Sequence, residues 1–250
     1  MISFIDALCR AGDMVKIIKT IFLCTFSASF LLGCTFDYLG RKKKKRAEEI
    51  FLEYRNIHVP CGIYEGWVKR PLDCFLASFA VIILSPVLLW TALAVKIKLG
   101  SPVIFTQERP GKDLVIFKMK KFRTMTEERD DKGNLLPDEI RLTVFGRLLR
   151  STSLDELPEL INVAMGDMAI IGPRPLLIRY LPFYTADEMH RHDVRPGLTG
   201  LAQISGRNYL PWNERFSLDL RYVNHITFAN DICIAAKTIK KVKETYISAS

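Results

Sequence analysis

The sequence has 250 residues, 49% of them hydrophobic, and its 36 basic against 27 acidic residues give a net charge of +9. This length suits one ordinary domain with an appendage and leaves little room for two full domains. A basic chain with so much apolar surface indicates anionic membranes or phosphorylated ligands as partners. Nucleic acid is disfavoured, because zinc-finger spacing, an RRM-type aromatic motif and a long basic helix are all missing from the sequence.

The six cysteines form no CxxC pair and no cluster with metal-ligand spacing. Scattered cysteines near apolar runs are typical of reduced, buried side chains rather than of a disulfide framework. We therefore expect the bulk of the chain to face the cytoplasm. The cysteines are Cys9, Cys24, Cys34, Cys61, Cys74 and Cys233.

The first uncharged run is residues 20–36, which is marginal in length for a spanning helix. A signal peptide is the competing interpretation, but no small-residue cleavage site stands out, and the polybasic block at residues 41–46 lies on the wrong side of the run. If the run spans, this block places its C-terminal side in the cytoplasm. Binding to anionic headgroups and a role as a solvated linker both stay open for the block.

The second uncharged run, residues 74–95, is long enough to cross a bilayer as a straight helix. Ser85 and Pro86 lie in its middle, and we expect the helix to break there because proline lacks an amide hydrogen and clashes with the preceding turn. Basic residues at both ends favour keeping both ends in the cytoplasm. They are Lys69, Arg70, Lys96 and Lys98. We predict a re-entrant helix-break-helix over residues 72–95, with a Pro-kinked transmembrane helix as the alternative. Asp73 is expected to pair with a basic neighbour.

After residue 98 the chain becomes polar and mixes short strands with helices. β-favouring residues at 102–107 and 114–122 surround the turn signal of Pro110 and Gly111, which predicts a small hairpin. Residues 127–138 are charged and rich in turn formers, which predicts a mobile loop.

An acidic pair follows at Asp155 and Glu156. Ser153 stands three residues before Glu156, the pattern of a capping box, and this predicts a helix whose first turn holds both acids. Most such pairs only favour the helix dipole, so the spacing alone leaves catalysis open.

Arginines near the pair add a second signal. Arg174 stands between Pro173 and Pro175, which restrict the backbone and suit the guanidinium to bidentate phosphate recognition. Arg195 repeats this arrangement before a Pro-Gly turn, although either motif alone is equally compatible with a tight turn carrying a surface arginine. Carboxylates and arginines together indicate metal-assisted phosphoryl chemistry, in which acids hold magnesium and arginines neutralise phosphate. The flanking cations are Arg147, Arg150, Arg174 and Arg195.

Five stretches carry the most distinctive residues of the chain. They are KRPLDCFLASFAVIILSPVLLW, IFTQERPG, FKMKKFRTM, RSTSLDELPELINVAMGDMAIIGPRP and RHDVRPGLTGLAQISGRN. In this order they resemble the bacterial sugar transferase family of monotopic polyprenyl-phosphate phosphoglycosyl transferases, and most of all its small members. The resemblance covers roughly residues 65–232, and so many ordered motifs make it specific.

The resemblance implies transfer of a sugar-1-phosphate from a UDP-sugar to polyprenyl (undecaprenyl) phosphate with release of UMP, the first membrane step of an exopolysaccharide, O-antigen or glycoprotein pathway. By its match to the SLDE dyad of the family, Asp155 is implied as the nucleophile that forms an aspartyl-phosphosugar, and Glu156 as the Mg²⁺ ligand. The helix break of the family falls on Ser85 and Pro86. Substrate binding is implied for Arg150, Arg174, Arg195 and Lys121, the last two loosely.

The expected fold is α+β and predominantly helical, a monotopic membrane protein with a re-entrant helix-break-helix and a small β-hairpin. Residues 1–60 are expected to be an N-terminal extension, and residues 61–250 the phosphoglycosyl transferase domain, with the cytoplasmic catalytic part at 99–250. The expected partners are the UDP-sugar, polyprenyl phosphate and membrane lipid, with downstream glycosyltransferases as further candidates. The expected location is the bacterial cytoplasmic membrane, with the catalytic part facing the cytoplasm.

Two other functions compete with this one. A catalytically silent adaptor that recruits glycan-assembly enzymes is disfavoured by the intact acids and arginines. A Leloir-type glycosyltransferase releases a nucleoside diphosphate instead of UMP, so the nucleotide product separates the two reactions.

Two minor patterns complete the sequence. Residues 233–243 interleave apolar positions with lysines, which indicates a helix lying flat on a membrane or a solvated helix face. His190 and His192 are interpreted as surface histidines rather than metal ligands.

Overall fold

The computed structural model describes residues 58–60, 62–206 and 210–249, with side chains described up to residue 241. The apolar run 20–36 and the polybasic block 41–46 lie outside the described residues. Helices dominate the described part, together with two sheets of two strands each. The prediction of a predominantly helical fold with a small hairpin is therefore confirmed. Of the described cysteines, Cys74 is reduced and buried as expected, with its Sγ donating to the Ala164 carbonyl at 3.2 Å, whereas Cys233 is reduced and exposed.

A broken helix forms the start of the described domain. A π-helical turn, Tyr64–Val68, leads into helix α1 (Lys69–Ile83), and helix α2 (Ser85–Leu99) follows after one non-helical residue, Leu84. Pro86 occupies the first turn of α2, where its missing amide breaks no helical hydrogen bond. The prediction of a break at Ser85 and Pro86 is confirmed.

The broken helix has the apolar composition of a membrane segment, but it is bent and not a straight helix. No single helix among the described residues is long and apolar enough to cross a membrane. The two helical segments on either side of Leu84 reach the required length and hydrophobicity only when taken together, and their axes are bent by 64°. Large apolar side chains point away from the protein along this pair, and an exposed apolar surface of this extent indicates an interaction site. The most exposed are Trp67, Leu89, Trp90 and Ile97.

The predicted hairpin is present. Strand β1 (Ile104–Pro110) pairs antiparallel with strand β2 (Ile116–Phe122), from Ile104 opposite Phe122 to Pro110 opposite Ile116. Residues 127–137 are irregular apart from one bridge between Arg129 and Leu135, as expected for a loop, whereas Asp138 already begins the next helix.

Helices α3 (Asp138–Arg141) and α4 (Val144–Ser151) follow the loop. Helix α4 lies directly against the backbone at Thr124, because a Cβ added at Gly146 would stand 1.9 Å from the carbonyl oxygen of that residue. Only glycine permits this approach. The contact places Arg150, at the end of α4, so that its Nε donates to the Thr124 hydroxyl at 3.1 Å.

Helix α5 (Glu159–Met165) connects the hairpin to the broken helix. Asn162 on α5 is fully buried, and its side-chain amide makes two hydrogen bonds to the backbone of β2. It donates to the Lys118 carbonyl at 2.9 Å and accepts from the Lys120 amide at 3.0 Å. On the other face, Arg70 of α1 donates to the Val163 carbonyl at 2.9 Å. The core between these elements contains Ala77, Phe117, Met119, Leu160, Val163 and Met168.

A second sheet, which the sequence did not predict, lies after α5. Strand β3 (Ala169–Ile171) pairs in parallel with strand β4 (Gly197–Thr199). Three-residue strands without alternation give no periodic signal, so only the folded chain reveals this pairing.

The remaining helices are α6 (Ala186–Met189), α7 (Leu201–Ser205), α8 (Trp212–Asn224) and α9 (Phe228–Ala249). Asp231 of α9 joins the C-terminal part to the start of the domain, since its carboxylate accepts from Tyr64 at 2.7 Å, Lys69 at 2.6 Å and Tyr222 at 2.8 Å. Asp73 lies 3.5 Å from the Lys69 ammonium, which confirms the pairing expected for it.

The interpretation of His192 as a surface residue is wrong. His192 is buried and its ring stacks on Tyr184 at 5.9 Å, because residues 190–192 form a 3-10 turn that packs against α8. Burial and the charge of Arg191 lower the pKa of His192 to about 3, so the ring is neutral at pH 7. His190 is half-buried and pairs with Asp193 at 2.7 Å.

Candidate active site

The acidic pair lies in a 3-10 turn, Leu154–Glu156, and not in the first turn of an α-helix. Ser153 has left-handed backbone angles and its side chain caps nothing, so the predicted capping box is wrong. Pro158 explains the shift, because a proline fits directly before a helix and α5 begins only after it. Free of a capping role, the Glu156 carboxylate is bound by cations.

Glu156 joins two cations from distant parts of the chain. Its Oε1 lies 2.8 Å from the Lys121 ammonium, on β2, and 2.5 Å from Nη2 of Arg174, in the loop after β3. Burial opposes ionisation of Glu156, but the charges of Arg174 and Lys121 outweigh it and lower the pKa to about 2. Glu156 is therefore a carboxylate at neutral pH.

The loop that carries Arg174 is held rigidly behind this contact. A Cβ added at Gly172 would lie 2.5 Å from the Arg195 carbonyl oxygen, and the Gly172 amide donates to the Thr199 carbonyl at 2.9 Å. The Arg174 carbonyl accepts from Arg191 at 2.7 Å. This backbone support aims the Arg174 guanidinium at Glu156.

Asp155 lies next to these charges without being bound by them. It is 8% exposed and, among the described residues, has no ion pair within 4 Å. Burial and the charge of Glu156 raise its pKa, while Lys121 and Arg150 act in the opposite direction. A buried carboxylate free of direct cation contacts, but close to two cations, has the surroundings of a nucleophile.

Glu159 is a third acid at the site, and the sequence reasoning missed it. Its carboxylate is 2% exposed, with Oε1 3.0 Å from the Lys121 ammonium. Burial raises the pKa of Glu159, against the effect of Lys121. Its spacing of three residues from Glu156 could have revealed it, because residues at that spacing lie on one side of a helical segment.

The structure thus brings Lys121, Asp155, Glu156 and Arg174 together, with Arg150 on the Asp155 side. Arg195 makes a different contact: its Nε donates to the Gly166 carbonyl at 2.9 Å, where α5 ends. Ser85 and Pro86 lie at the helix break described above.

The acidic side chains at the site suit Mg²⁺ only together with phosphate oxygens from a substrate. The described residues contain no group of three or more His, Cys, Asp or Glu side chains arranged to hold a metal ion. Mg²⁺ is commonly bound through one or two carboxylates, with phosphate oxygens and water as the remaining ligands. Both cations at Glu156 contact Oε1, which leaves Oε2 as a donor of this kind.

A cavity of about 230 Å³ opens beside Lys121, Glu159 and Arg174. This volume is below the roughly 300–1,000 Å³ of sites that enclose a whole drug-sized ligand. The other walls are formed by Arg109, Met119, Pro175, Leu176, Leu177, Tyr180 and Trp212.

Residues 64–245 match the family described as bacterial sugar transferase. The chain therefore belongs to this family, which confirms the resemblance seen in the sequence motifs.

Individual relatives differ in length. The chain is 51% identical over 175 residues to the "Uncharacterized sugar transferase EpsL" of Bacillus subtilis, covering 70% of this chain and 87% of that protein. It is 37% identical over 194 residues to the exopolysaccharide production protein ExoY of Rhizobium meliloti, covering 71% and 86%. The UDP-glucose:undecaprenyl-phosphate glucose-1-phosphate transferase of Klebsiella pneumoniae is 41% identical over 183 residues, which cover 69% of this chain but only 39% of that longer protein.

The depressed pKa of Glu156 predicts a pH dependence of stability. The folded value of about 2 lies below the ordinary value of 4.5, so ionised Glu156 stabilises the folded state above pH 4.5 and this contribution is lost as the pH falls toward 2. In chelator-containing buffer, we expect the difference in unfolding free energy between wild type and Glu156→Gln to fall as the pH drops below about 4.5, whereas above that pH it also includes the titration of Asp155 and Glu159, whose pKa values the Glu156 charge raises. Below about pH 4.5 it should shrink by up to about 1.4 kcal/mol per pH unit.

Denaturant titrations of the detergent-solubilised protein between pH 3 and pH 7 measure this difference. Glu139→Gln, the same change at an exposed position, is the matched control. An equal difference for Glu156→Gln at pH 3 and pH 7 would contradict the ion-pair assignment.

Proposed function

We propose that this protein transfers a sugar-1-phosphate from a UDP-sugar to undecaprenyl phosphate and releases UMP. The transfer is the first membrane step of a bacterial glycan pathway, such as an exopolysaccharide, O-antigen or glycoprotein pathway. The observation that carries the proposal is a buried Asp155 that has no ion pair among the described residues and lies beside the Lys121–Glu156–Arg174 cluster.

The names of relatives support this reaction class. Besides the Klebsiella glucose-1-phosphate transferase, the relatives include an undecaprenyl-phosphate galactose phosphotransferase of Salmonella typhimurium and a UDP-N-acetylgalactosamine-undecaprenyl-phosphate N-acetylgalactosaminephosphotransferase of Aeromonas hydrophila. Their sugars differ, so the names agree on the type of reaction, transfer of a sugar phosphate to undecaprenyl phosphate, but not on the sugar. These proteins are longer than the present chain, which covers 39–45% of each.

Chemically, the reaction is a double displacement at one phosphorus atom. An Asp155 oxygen attacks the sugar-linked phosphorus, and the bond from that phosphorus to the bridging oxygen breaks, so UMP leaves with the bonding electrons. The aspartyl-phosphosugar is then attacked by a phosphate oxygen of undecaprenyl phosphate, which returns Asp155 as a carboxylate. The covalent step replaces one difficult encounter of two phosphates by two simpler ones.

The cations beside Asp155 serve the phosphates in both steps. Arg174 and Lys121 neutralise the charge on the diphosphate and on the leaving UMP, and Arg150 lies on the Asp155 side. Mg²⁺ would be held by Glu156 together with phosphate oxygens, and when bound it supplies further charge neutralisation. Arg195 acts on the backbone at the end of α5, so we assign it a supporting part.

The broken helix suits a protein that meets its lipid substrate from one side of the membrane. We infer a monotopic placement in the cytoplasmic membrane, with α1 and α2 entering and leaving on the cytoplasmic face. Lys96 and Lys98 in the last turn of α2 and the 64° bend support it. The lipid phosphate then lies at the headgroup plane, where a site fed with UDP-sugar from the cytoplasm can reach it.

Helix α9 provides a further contact for the same surface. Ile232 and Ile239 are exposed, 53% and 61%, and Lys237 and Lys240 are exposed among them. A helix with this pattern lies in the plane of an anionic interface. The undecaprenyl diphosphate-linked sugar that leaves the site is a substrate for downstream glycosyltransferases, which are the partners we propose.

Replacing the proposed nucleophile is the most informative variant. We expect Asp155→Asn to reduce UMP release by at least about 1,000-fold, because an amide cannot form the acyl phosphate. Purified protein is incubated with undecaprenyl phosphate and a panel of UDP-sugars, which also identifies the sugar. Exposed Asp187→Asn is the control and should keep wild-type turnover. Undiminished turnover of Asp155→Asn would remove the nucleophile assignment, and release of UDP would indicate a Leloir-type transferase.

The membrane placement predicts labelling on one side only. Single cysteines are introduced as Val59→Cys before α1 and Lys98→Cys in α2, with the native cysteines replaced by serine. Both positions should resist a membrane-impermeant maleimide in spheroplasts and react in inverted vesicles, as should an Asp187→Cys control in the catalytic part. Labelling of Val59→Cys and Lys98→Cys from opposite faces would exclude the re-entrant arrangement.

A further inference from the structure

The cavity beside the catalytic cluster contains a second arginine that the reaction described above does not use. Arg109, on β1, contributes to the same wall as Arg174. Its hydrogen-bond partners are neutral: Nη1 donates to the Pro175 carbonyl at 3.3 Å, and Nη2 donates to Oε1 of Gln107 at 2.6 Å. Its Nε is buried and has no hydrogen-bond partner. Arg109 therefore brings a charge into the cavity that no direct ion pair among the described residues balances, since Glu159, in the same wall, acts on it only from a distance.

This arrangement is unfavourable for the free protein. Among the described residues no carboxylate lies within 4 Å of the Arg109 guanidinium, whereas Arg174 is neutralised by Glu156. Burial and the charge of Arg174 lower the pKa of Arg109. A half-buried cation beside a like charge costs free energy unless an anion binds between them. The anion that suits a planar guanidinium is a phosphate or carboxylate.

Two aromatic side chains line the same cavity. The rings of Tyr180 and Trp212 lie 5.5 Å apart, and Leu176 and Leu177 add apolar surface. A planar heteroaromatic ring packs favourably against such side chains, as nucleobases do when they stack on aromatic residues in single-stranded nucleic-acid sites. A cation at one wall and aromatic rings at another match a nucleobase connected to a phosphate.

We propose that Arg109, Tyr180 and Trp212 form the subsite for the UMP half of the donor, in which Arg109 binds the UMP phosphate and the uracil ring packs against Tyr180 and Trp212. The inference rests on the proposed function and adds substrate-binding residues to it. The cavity of about 230 Å³ accommodates part of a UDP-sugar. The sugar-linked phosphate then lies toward Arg174, Lys121 and Asp155.

The nucleotide is chosen over the lipid phosphate because of the aromatic walls. An isoprenoid phosphate shares the phosphate chemistry and would also satisfy Arg109, but it has no planar ring for Tyr180 and Trp212. The two sources of phosphate are separated by measuring the KM for each substrate.

The test uses the full chain in nanodiscs, with UMP and uridine as probes. For Arg109→Gln we expect the Kd for UMP and the KM for the UDP-sugar to rise about 10- to 100-fold, which is the loss of a charge-assisted hydrogen bond. The Kd for uridine and the KM for undecaprenyl phosphate should stay within about twofold of wild type. Trp212→Leu should weaken UMP and uridine binding by the same factor. Arg221→Gln, an exposed arginine on α8, is the control.

The comparison of UMP with uridine also protects the test against misfolding, because a damaged protein loses both ligands whereas a lost phosphate contact affects only UMP. Arg109→Lys, which keeps the charge without the planar fork, should give an intermediate Kd for UMP. Wild-type Kd values for UMP in Arg109→Gln, or a rise in the KM for undecaprenyl phosphate alone, would overturn the assignment. If wild-type protein releases no UMP from any UDP-sugar, the proposed function itself fails; if it does and Arg109→Gln behaves like Arg221→Gln, only this subsite is wrong.

Discussion

The contact on which this structure depends is the Glu156 carboxylate between Lys121 and Arg174. It joins the second hairpin strand, the 3-10 turn and the loop after β3, three segments far apart in the sequence. Without Glu156, two cations would face one another in a partly buried site, which is costly. Much of the surrounding architecture positions these groups: Asn162 fixes the strand that carries Lys121, and Gly172 allows the backbone approach behind Arg174.

The same contact gives the two adjacent acids, Asp155 and Glu156, different electrostatic environments. Glu156 takes the cations, and its pKa falls to about 2. Asp155 is buried and has no ion pair within the described part of the chain, and its pKa is raised by burial and by the charge of Glu156. Environments that push the pKa values of two neighbouring acids apart are typical of sites where the acids differ in function. In the proposed mechanism, the exchange of phosphate groups at Asp155 takes place beside the cations that Glu156 binds.

The sequence predicted the features that are encoded locally. Pro86 interrupts a helix whatever surrounds that helix, and the turn at Pro110 and Gly111 separates two β-favouring segments. The helix break and the hairpin could therefore both be predicted. The capping box at Ser153 failed because tertiary contacts override a local pattern: Glu156 is drawn to Lys121 and Arg174, and Pro158 delays the helix. The β3–β4 pairing and the burial of His192 depend on neighbours more than 20 residues away. Arg109 stands in the IFTQERPG motif, but the sequence assigns it no role, because its lack of an ion pair among the described residues is visible only once its surroundings are known.

The proposed mechanism requires a covalent bond between Asp155 and the sugar phosphate. Intact-protein mass spectrometry of the wild type, incubated with its UDP-sugar while undecaprenyl phosphate is withheld, measures this bond directly. We expect a mass increase of one sugar phosphate, located on Asp155 by peptide mapping and removed when the lipid is added. Unmodified protein throughout, in a preparation that turns over as soon as the lipid is present, would contradict it.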